Sequence, residues 1–291
     1  MIPKILHRMW LDKTISNNNE APKKYDEFLA TFNKHNPEFV VMFWNMDKCK
    51  ELFKNSAVSK YKSIWENLPH HIQKCDMARY IILYLHGGIY IDLDFTCFRN
   101  LSPLLNRDLL LVKEPKEYSS GTTIHNGFIG SVPHHPFWLE WLNFICDTIK
   151  NNGRNDMFSE VMQTTGPSNF GVFFYQSKYK NTEVVDMCDI LPIYPTENGY
   201  AISEECHHRT RIYSDTYHEK MNNYMHTKWN EGSKWQENKT DNIVKPVLVE
   251  RNERSNRRRN IYLIVIIIFV IVIIILAIYI YDPKNNTSHV A

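Results

Sequence analysis

Several features that would identify common classes of protein are missing from this 291-residue chain. It contains neither the G-x-G-x-x-G fingerprint of dinucleotide-binding domains nor the G-x-x-x-x-G-K-[ST] sequence of P-loop enzymes, which disfavours both classes. No segment recurs with a period of about 20 to 50 residues, so a repeat array is also disfavoured. The formal net charge is only +2, and this gives no electrostatic argument for a nucleic-acid partner.

Paired cysteine spacing and an N-terminal signal sequence are missing as well. The first ten residues, MIPKILHRMW, have no apolar h-region and predict a β-strand instead. We expect the cysteines to be reduced and mostly buried, which is typical of a domain that faces the cytosol. They are Cys49, Cys75, Cys97, Cys146, Cys188 and Cys206.

One long apolar run is present near the C-terminus. Residues 261–281 carry no charge, and as a helix they would span roughly 30 Å, the thickness of a bilayer core. Five arginines lie within residues 251–259, whereas one lysine, Lys284, follows the run. The positive-inside rule then places the preceding residues in the cytosol, on a plasma membrane or an endomembrane such as the ER or Golgi. The predicted organisation is a globular domain (1–240), a basic linker (241–260), a transmembrane helix (261–281) and a polar tail (282–291).

Strand and helix patterns alternate through the first two thirds of the chain. Strands are predicted at 2–10, 39–44, 89–95, 108–112, 126–132 and 190–195, and helices at 22–34, 48–85 (broken near Pro69) and 135–150. This alternation predicts an α/β domain with a mainly parallel sheet. Ligands of such sheets bind beyond the carboxyl ends of the strands.

The segment YLHGGIYIDLDF, residues 84–95, places two carboxylates in a strand that is otherwise apolar. Because successive strand side chains face opposite sides, Asp92 and Asp94 are expected on one face, about 7 Å apart. Carboxylates at that spacing suit a hard divalent cation such as Mn²⁺ or Mg²⁺, with substrate phosphates completing its coordination. On its own, however, a D-x-D pair also occurs by chance on many exposed strands.

The helix before that strand carries Asp76 and Arg79, which are three positions apart and therefore on one face. A carboxylate and a guanidinium beside a metal–phosphate site could bind sugar hydroxyls and diphosphate oxygens. The alternative is an ordinary surface ion pair.

Taken together, these residues resemble one family of enzymes. Residues 76–94 match the pattern D-x-x-R-Y-x-x-L-Y-x-x-G-G-I-Y-x-D-x-D at every specified position, which is similar to glycosyltransferases that have a DXD-containing sugar-binding region. That family includes fungal initiating α-1,6-mannosyltransferases and inositol-phosphoceramide mannosyltransferases, and more distantly the large clostridial glucosylating toxins. The resemblance continues in IPKILHRMW (2–10), HNGFIGSVPHHP (125–136), TTGP (164–167) and HTKWNEGSKW (226–235).

The resemblance implies a single GT-A type domain that uses Mn²⁺ or Mg²⁺ and a UDP- or GDP-sugar. It implies transfer of a hexose or N-acetylhexosamine, with retention of configuration, to a glycan, lipid or protein. By analogy Asp94 would bind the metal directly, and Asp92 would reach the ribose or the metal through water. The other implied donor-binding residues are Trp10, Asp76, Arg79, Asn126, Ser233 and Trp235.

Some roles remain open between alternatives. Lys234 separates Ser233 from Trp235, so His226, Asn230 and Ser233 compete as a further metal ligand, and we favour His226. Trp10 could equally be a core residue, and Asn126 could equally stabilise a turn. At the level of function, the alternative is a membrane-anchored protein that binds a nucleotide-sugar or carbohydrate without turnover.

Overall fold

The computed structural model describes most of the first 190 residues and short segments beyond them. The described residues are 1–11, 21–114, 116, 122–151, 157–185, 187–190, 193–196, 199–202, 206 and 225–227. All of them belong to one compact unit, Met1–Trp235. No helix in these ranges is both long and apolar enough to cross a bilayer, and the predicted segment 261–281 lies outside them.

A five-stranded mixed sheet forms the centre of the domain, with the strand order β2-β1-β3-β6-β5. β1 pairs in parallel with β2 and β3, whereas β6 pairs antiparallel with β3 and β5. The strands of this sheet are β1 (Ile5–Met9), β2 (Val40–Trp44), β3 (Gly88–Ile91), β5 (Leu109–Lys113) and β6 (Ile124–Ser131). Two small sheets pair β4 (Phe95–Cys97) with β9 (Met225–Thr227), and β7 (Ile193–Thr196) with β8 (Gly199–Ile202).

Helices pack on this scaffold in chain order. They are α1 (Asp26–His35), α2 (Met46–Leu52), α3 (Lys62–Asn67), α4 (His71–His86), α5 (Pro136–Asn151), α6 (Met157–Thr164), α7 (Pro167–Gln176) and α8 (Met187–Ile190). The predicted α/β class, and the predicted strands and helices in residues 2–150, are therefore confirmed with shifted boundaries, apart from the aspartate segment and the single helix over 48–85. Helices α6 and α7 and strands β8 and β9 were not predicted.

The central sheet separates two apolar clusters because its strands alternate between its faces. In β5, Leu109 and Leu111 enter the cluster that contains the α4 and α5 side chains, whereas Leu110 and Val112 enter the opposite one. β3 divides in the same way, with Tyr90 on the first side and Ile91 on the second. The result is a sheet that is buried on both faces.

A two-glycine turn joins α4 to β3. Gly87 and Gly88 have φ values of 64° and 86°, a region that favours glycine. A side chain would also not fit, since a Cβ atom at Gly88 would lie 2.7 Å from the carbonyl oxygen of Ile5. This turn fixes the distance along the chain between the α4 side chains and the end of β3.

Three predictions about the fold are corrected. The sheet is mixed rather than mainly parallel, because β6 enters between β3 and β5 in the opposite direction. The strand predicted over 89–95 ends at Ile91, and the chain turns at Leu93 and Asp94 before β4 begins. The helical stretch predicted over 48–85 consists of three helices, α2, α3 and α4.

A disulfide corrects the prediction that every cysteine is reduced. Cys188, in α8, is bonded to Cys206, with their Cα atoms 5.4 Å apart. Eighteen positions separate them, so no short-range spacing reveals the pair. The four free cysteines in the described residues are Cys49, Cys75, Cys97 and Cys146.

Candidate functional site

Three strands bring the candidate residues to one edge of the central sheet. β1 and β3 run in parallel, so Trp10 and Asp92 both follow the carboxyl ends of their strands. Because β6 runs antiparallel to β3, its first residues lie at that same edge, where Phe128 pairs with Ile91. Asn126 therefore starts its strand where β3 ends, and α4 lies against this edge.

Asp76 and Arg79 form a buried pair rather than a surface pair. Their side chains are each only 4% exposed, and Nη2 of Arg79 lies 3.1 Å from Oδ1 of Asp76. Asn126 Nδ2 also donates to Asp76 Oδ1 at 3.0 Å, and the Thr165 hydroxyl donates to Oδ2 at 2.8 Å. The Asp76 carboxylate is thus held on both oxygens.

The guanidinium of Arg79 joins the helix to both neighbouring strands. Its Nη1 donates to the carbonyl oxygen of Asn126 at 2.9 Å and lies 3.5 Å from Oδ1 of Asp92. Its carbon lies 4.6 Å from the ring centroid of Tyr90, over the face of the ring. Arg79 is therefore an organising residue of the site as well as a candidate donor contact.

The two aspartates lie in a turn and differ in exposure. The Asp92 side chain is 37% exposed, its amide donates to the carbonyl oxygen of Gly127 at 2.8 Å, and Tyr90 Oη donates to its Oδ1 at 2.9 Å. Asp94 is only 7% exposed. The prediction that both occupy one strand face is therefore replaced by one partly open and one buried carboxyl group.

Arg8 is a site residue that the sequence reasoning missed. It is 2% exposed, and its Nη2 donates to the carbonyl oxygen of Leu93 at 2.6 Å, within the aspartate turn. Burial lowers the pKa of Arg8 to about 10, although Asp94 and other anionic neighbours oppose that shift. A charged residue inside the buried strand ILHRM was the available signal.

Burial changes the protonation of both buried carboxyl groups. Desolvation and then the charge of Asp92 raise the pKa of Asp94 to about 7, against the opposing influence of His125 and Arg8. Desolvation also raises the pKa of Asp76 to about 6, although Arg79 and the Thr165 hydroxyl favour its charged form. Asp94 is a carboxyl group that lacks sufficient positive charge around it.

Thr165 and Tyr80 complete the support of this site from the α6–α7 side. The Tyr80 hydroxyl donates to the carbonyl oxygen of Thr165 at 2.8 Å and accepts from Asn126 Nδ2 at 3.0 Å. Thr165 belongs to the TTGP segment, immediately before Gly166 and Pro167, where α7 begins. The segment was noted in the sequence, but its hydrogen bond to Asp76 was not predicted.

The remaining predicted residues are placed to different extents. Trp10 packs with Tyr25, Phe28 and Leu93 in a small cluster beside the aspartate turn, so it is partly a packing residue that adjoins the site. His226 lies opposite Thr96 in the β4–β9 pairing, which brings its backbone to the strand after Asp94. Asn230, Ser233 and Trp235 lie outside the described residues.

The aspartate turn fits a divalent cation in its chemistry. Two oxygen-donor groups lie close together, and the raised pKa of Asp94 reports a negative charge that a cation would stabilise. In the described part of the chain, no cluster of three or more histidine, cysteine, aspartate or glutamate side chains could hold a metal ion. Substrate phosphates or other ligands would therefore complete the coordination.

Comparison with known proteins confirms the family resemblance. Residues 22–111 match the family described as "Glycosyltransferase sugar-binding region containing DXD motif". The chain is 35% identical over 136 residues to an uncharacterized glycosyltransferase of Acanthamoeba polyphaga mimivirus, covering 47% of this chain and 52% of that protein. It is 31% identical over 185 residues to a mannosyl phosphorylinositol ceramide synthase of Saccharomyces cerevisiae, covering 62% and 45%.

The other matches agree in kind. An inositol phosphoceramide mannosyltransferase of Schizosaccharomyces pombe is 30% identical over 141 residues, covering 47% of this chain and 40% of that protein. The chain spans about half the length of the curated relatives it matches. Among solved structures, the PaToxG glycosyltransferase aligns over 60% of this chain and 69% of its own, with 18% identity and a TM-score of 0.46.

The burial of Asp94 predicts a pH dependence that metal should remove. A carboxyl group whose pKa is raised on folding to about 7 contributes stability at low pH that is lost as the pH rises from about 4 to about 7. The metal-free full-length protein should therefore unfold at a lower temperature at pH 7.5 than at pH 5. Asp94→Asn should flatten this slope, and MnCl₂ at pH 7.5 should raise the unfolding temperature of the wild type but not of the variant.

Thermal unfolding followed by circular dichroism measures both effects, and Asp47→Asn, an exposed residue of α2, is the control. An equal response to MnCl₂ in Asp94→Asn would contradict a metal site at this turn.

Proposed function

We propose that this protein is a nucleotide-sugar-dependent glycosyltransferase of the GT-A type. The observation that carries the proposal is the union of Asp92 and Asp94 with the buried Asp76–Arg79 pair at one sheet edge. These four residues lie within the segment that matches the family. Their chemistry suits a substrate that combines sugar hydroxyls with a diphosphate.

The roles of the chain's own residues follow from their contacts. Arg79 orients Asp76 and Asp92 by direct charged contacts, and Asn126 and Thr165 fix the Asp76 carboxylate as an acceptor for sugar hydroxyls. Trp10, beside Leu93, is proposed to stack on the base of the donor. These interactions hold the donor in one orientation before its glycosidic bond breaks.

Asp94 and Asp92 are the residues that would hold Mn²⁺ or Mg²⁺, and we propose His226 as a further ligand. When bound there, the cation would supply positive charge to stabilise the departing nucleoside diphosphate. The donor-binding roles of Ser233 and Trp235 remain part of the proposal. We assign no nucleophile, and retention of configuration rests on the family resemblance alone.

The names of the relatives suggest which substrates to test first. They are called mannosyltransferases, and two act by name on an inositol-containing ceramide lipid. Mannose is therefore the first sugar to try among UDP- and GDP-linked hexoses and N-acetylhexosamines, and a glycolipid the first acceptor, ahead of glycans and proteins.

A donor-hydrolysis screen tests the proposal and separates it from its rival. The full-length protein is incubated with UDP- and GDP-sugars and MnCl₂, and release of free sugar is measured. Turnover of one donor supports the glycosyltransferase. Binding of a nucleotide-sugar without turnover, either by hydrolysis or with glycolipid, glycan and protein acceptors, would instead support the non-catalytic binding protein.

Removal of one charge from the aspartate turn should abolish most of the activity. Asp94→Asn keeps the shape of the side chain but removes a negative charge that a divalent cation needs, so turnover should fall at least about a hundredfold. EDTA should inhibit the wild type to a similar extent, and added MnCl₂ should reverse this. Full turnover in EDTA, or in the variant, would rule out metal dependence.

The planar guanidinium of Arg79 should matter beyond its charge. Lysine cannot contact Asp76, Asp92 and the Asn126 carbonyl oxygen together, so Arg79→Lys should lower kcat/KM by about tenfold or more. Arg107→Lys, at the opposite end of the sheet, is the control. Unfolding of Arg79→Lys at the assay temperature would instead show that the pair is mainly structural.

We also propose that residues 261–281 attach the protein to a membrane, and the side on which the domain lies follows from two opposing features. The arginine-rich segment 251–259 supports a cytosolic domain, whereas the Cys188–Cys206 disulfide is typical of an oxidising compartment. The sequon at Asn100 is a poor reporter, because Nδ2 of Asn100 already donates to the His35 carbonyl oxygen and to Glu38. Glycan attachment at that nitrogen would break this contact network.

Counting free thiols in cells decides between the two sides. Cells are quenched in acid, and the denatured protein is labelled with a maleimide polymer that adds a fixed mass to each thiol. A cytosolic domain should take up six labels, and a domain in an oxidising compartment should take up four, since Cys188 and Cys206 would be bonded. Cys188→Ser, which leaves five thiols in either case, checks the assignment of the pair when the unreduced wild type takes up four.

A further inference from the structure

A buried histidine–glutamate pair lies beside the aspartate turn and has no role in the function described so far. Nδ1 of His125 lies 3.2 Å from Oε1 of Glu114, and the two side chains are 12% and 2% exposed. Glu114 directly follows β5, and its amide donates to the carbonyl oxygen of Thr123. The pairing of β5 with β6 therefore brings both residues to the edge that carries the site.

The free side of Gly127 shows where the imidazole of His125 faces. A Cβ atom at Gly127 would overlap Oδ2 of Asp92 and would lie 2.8 Å from Nε2 of His125. Both atoms therefore border the same small space, which exists because residue 127 has no side chain. A ligand that reaches Asp92 Oδ2 through this space also meets Nε2 of His125.

Glu114 determines which hydrogen-bonding group His125 offers there. An ionised carboxylate only accepts hydrogen bonds, so the contact with Glu114 places a proton on Nδ1. In the neutral ring, Nε2 is then an acceptor. A hydroxyl group can donate to such an acceptor, whereas a diphosphate oxygen that carries no proton cannot.

We propose that His125 binds a hydroxyl group of the transferred sugar through Nε2, and that Glu114 is the positioning residue that orients it. The inference rests on the proposed glycosyltransferase function and adds a sugar contact on the strand side of the site. Asp76, Asn126 and Arg79 lie on the α4 side of the same edge. The sugar is thereby recognised by acceptor groups from β6 as well as from α4.

The test compares a nucleotide-sugar with the free nucleoside diphosphate on the full-length protein. With the donor that the wild type hydrolyses, His125→Ala should raise KM about tenfold or more, whereas the affinity for the nucleoside diphosphate alone, measured by calorimetry with MnCl₂, should change less than about twofold. His125→Gln should recover part of the loss, because its amide oxygen can accept the same hydrogen bond. His71→Gln, an exposed residue of α4, is the control.

A double-mutant cycle tests the role of Glu114. Glu114→Gln should weaken donor binding in the wild type but add little in the His125→Ala background, because its effect acts through the imidazole. Additive losses would overturn the positioning role. Equal weakening of the nucleotide-sugar and the nucleoside diphosphate, or an unchanged KM in His125→Ala, would overturn the sugar contact. Failure of the wild type to hydrolyse or transfer from any donor would instead refute the proposed function.

Discussion

The buried guanidinium of Arg79 is the interaction on which the arrangement of the site depends. It contacts carboxylates from α4 and from the end of β3, and a carbonyl oxygen from β6. Removing one partner of a buried ion pair typically costs about 3–5 kcal/mol, because the remaining charge stays buried without compensation. The surrounding hydrogen bonds from Asn126, Thr165 and Tyr90 distribute that cost over three further elements.

The aspartate turn shows a different balance, in which charge is left incompletely compensated. Asp94 is buried beside Asp92, and Arg8 is the nearby cation that donates to the turn. A fold selected for stability alone would not retain a carboxyl group with a pKa raised to about 7, since that group opposes folding at neutral pH. Functional sites are where such local cost is expected.

Much of this could be read from the sequence because the relevant signals are local. The spacing of Asp76 and Arg79 on one helix face, the glycines that end α4, and the strand starting at residue 88 all follow from periodicity and glycine conformation. The break of the strand after Ile91 could not be predicted in this way. Leu93 continues the alternating pattern, yet it packs with Tyr25 and Phe28 rather than with Ile91.

Contacts between distant segments were the part that the sequence could not supply. Glu114 and His125 meet only because β5 pairs with β6 through an irregular register, which shifts between Leu110 and Val112. The disulfide partner of Cys188, the bond from Thr165 to Asp76 and the direction of β6 depend in the same way on tertiary packing. Short-range spacing contains no signal for any of these contacts.

The pairing of β4 with β9 also has a consequence for how the chain acquires its activity. The strand that directly follows Asp94 has its partner near the end of the globular unit. During synthesis, β4 remains an unpaired edge until most of the chain has been made, and such edges favour wrong pairing. Contacts between segments so far apart in the sequence also form slowly. Maturation of the site is therefore a late folding event, and chaperone supply would limit the yield of active enzyme more than the rate of translation.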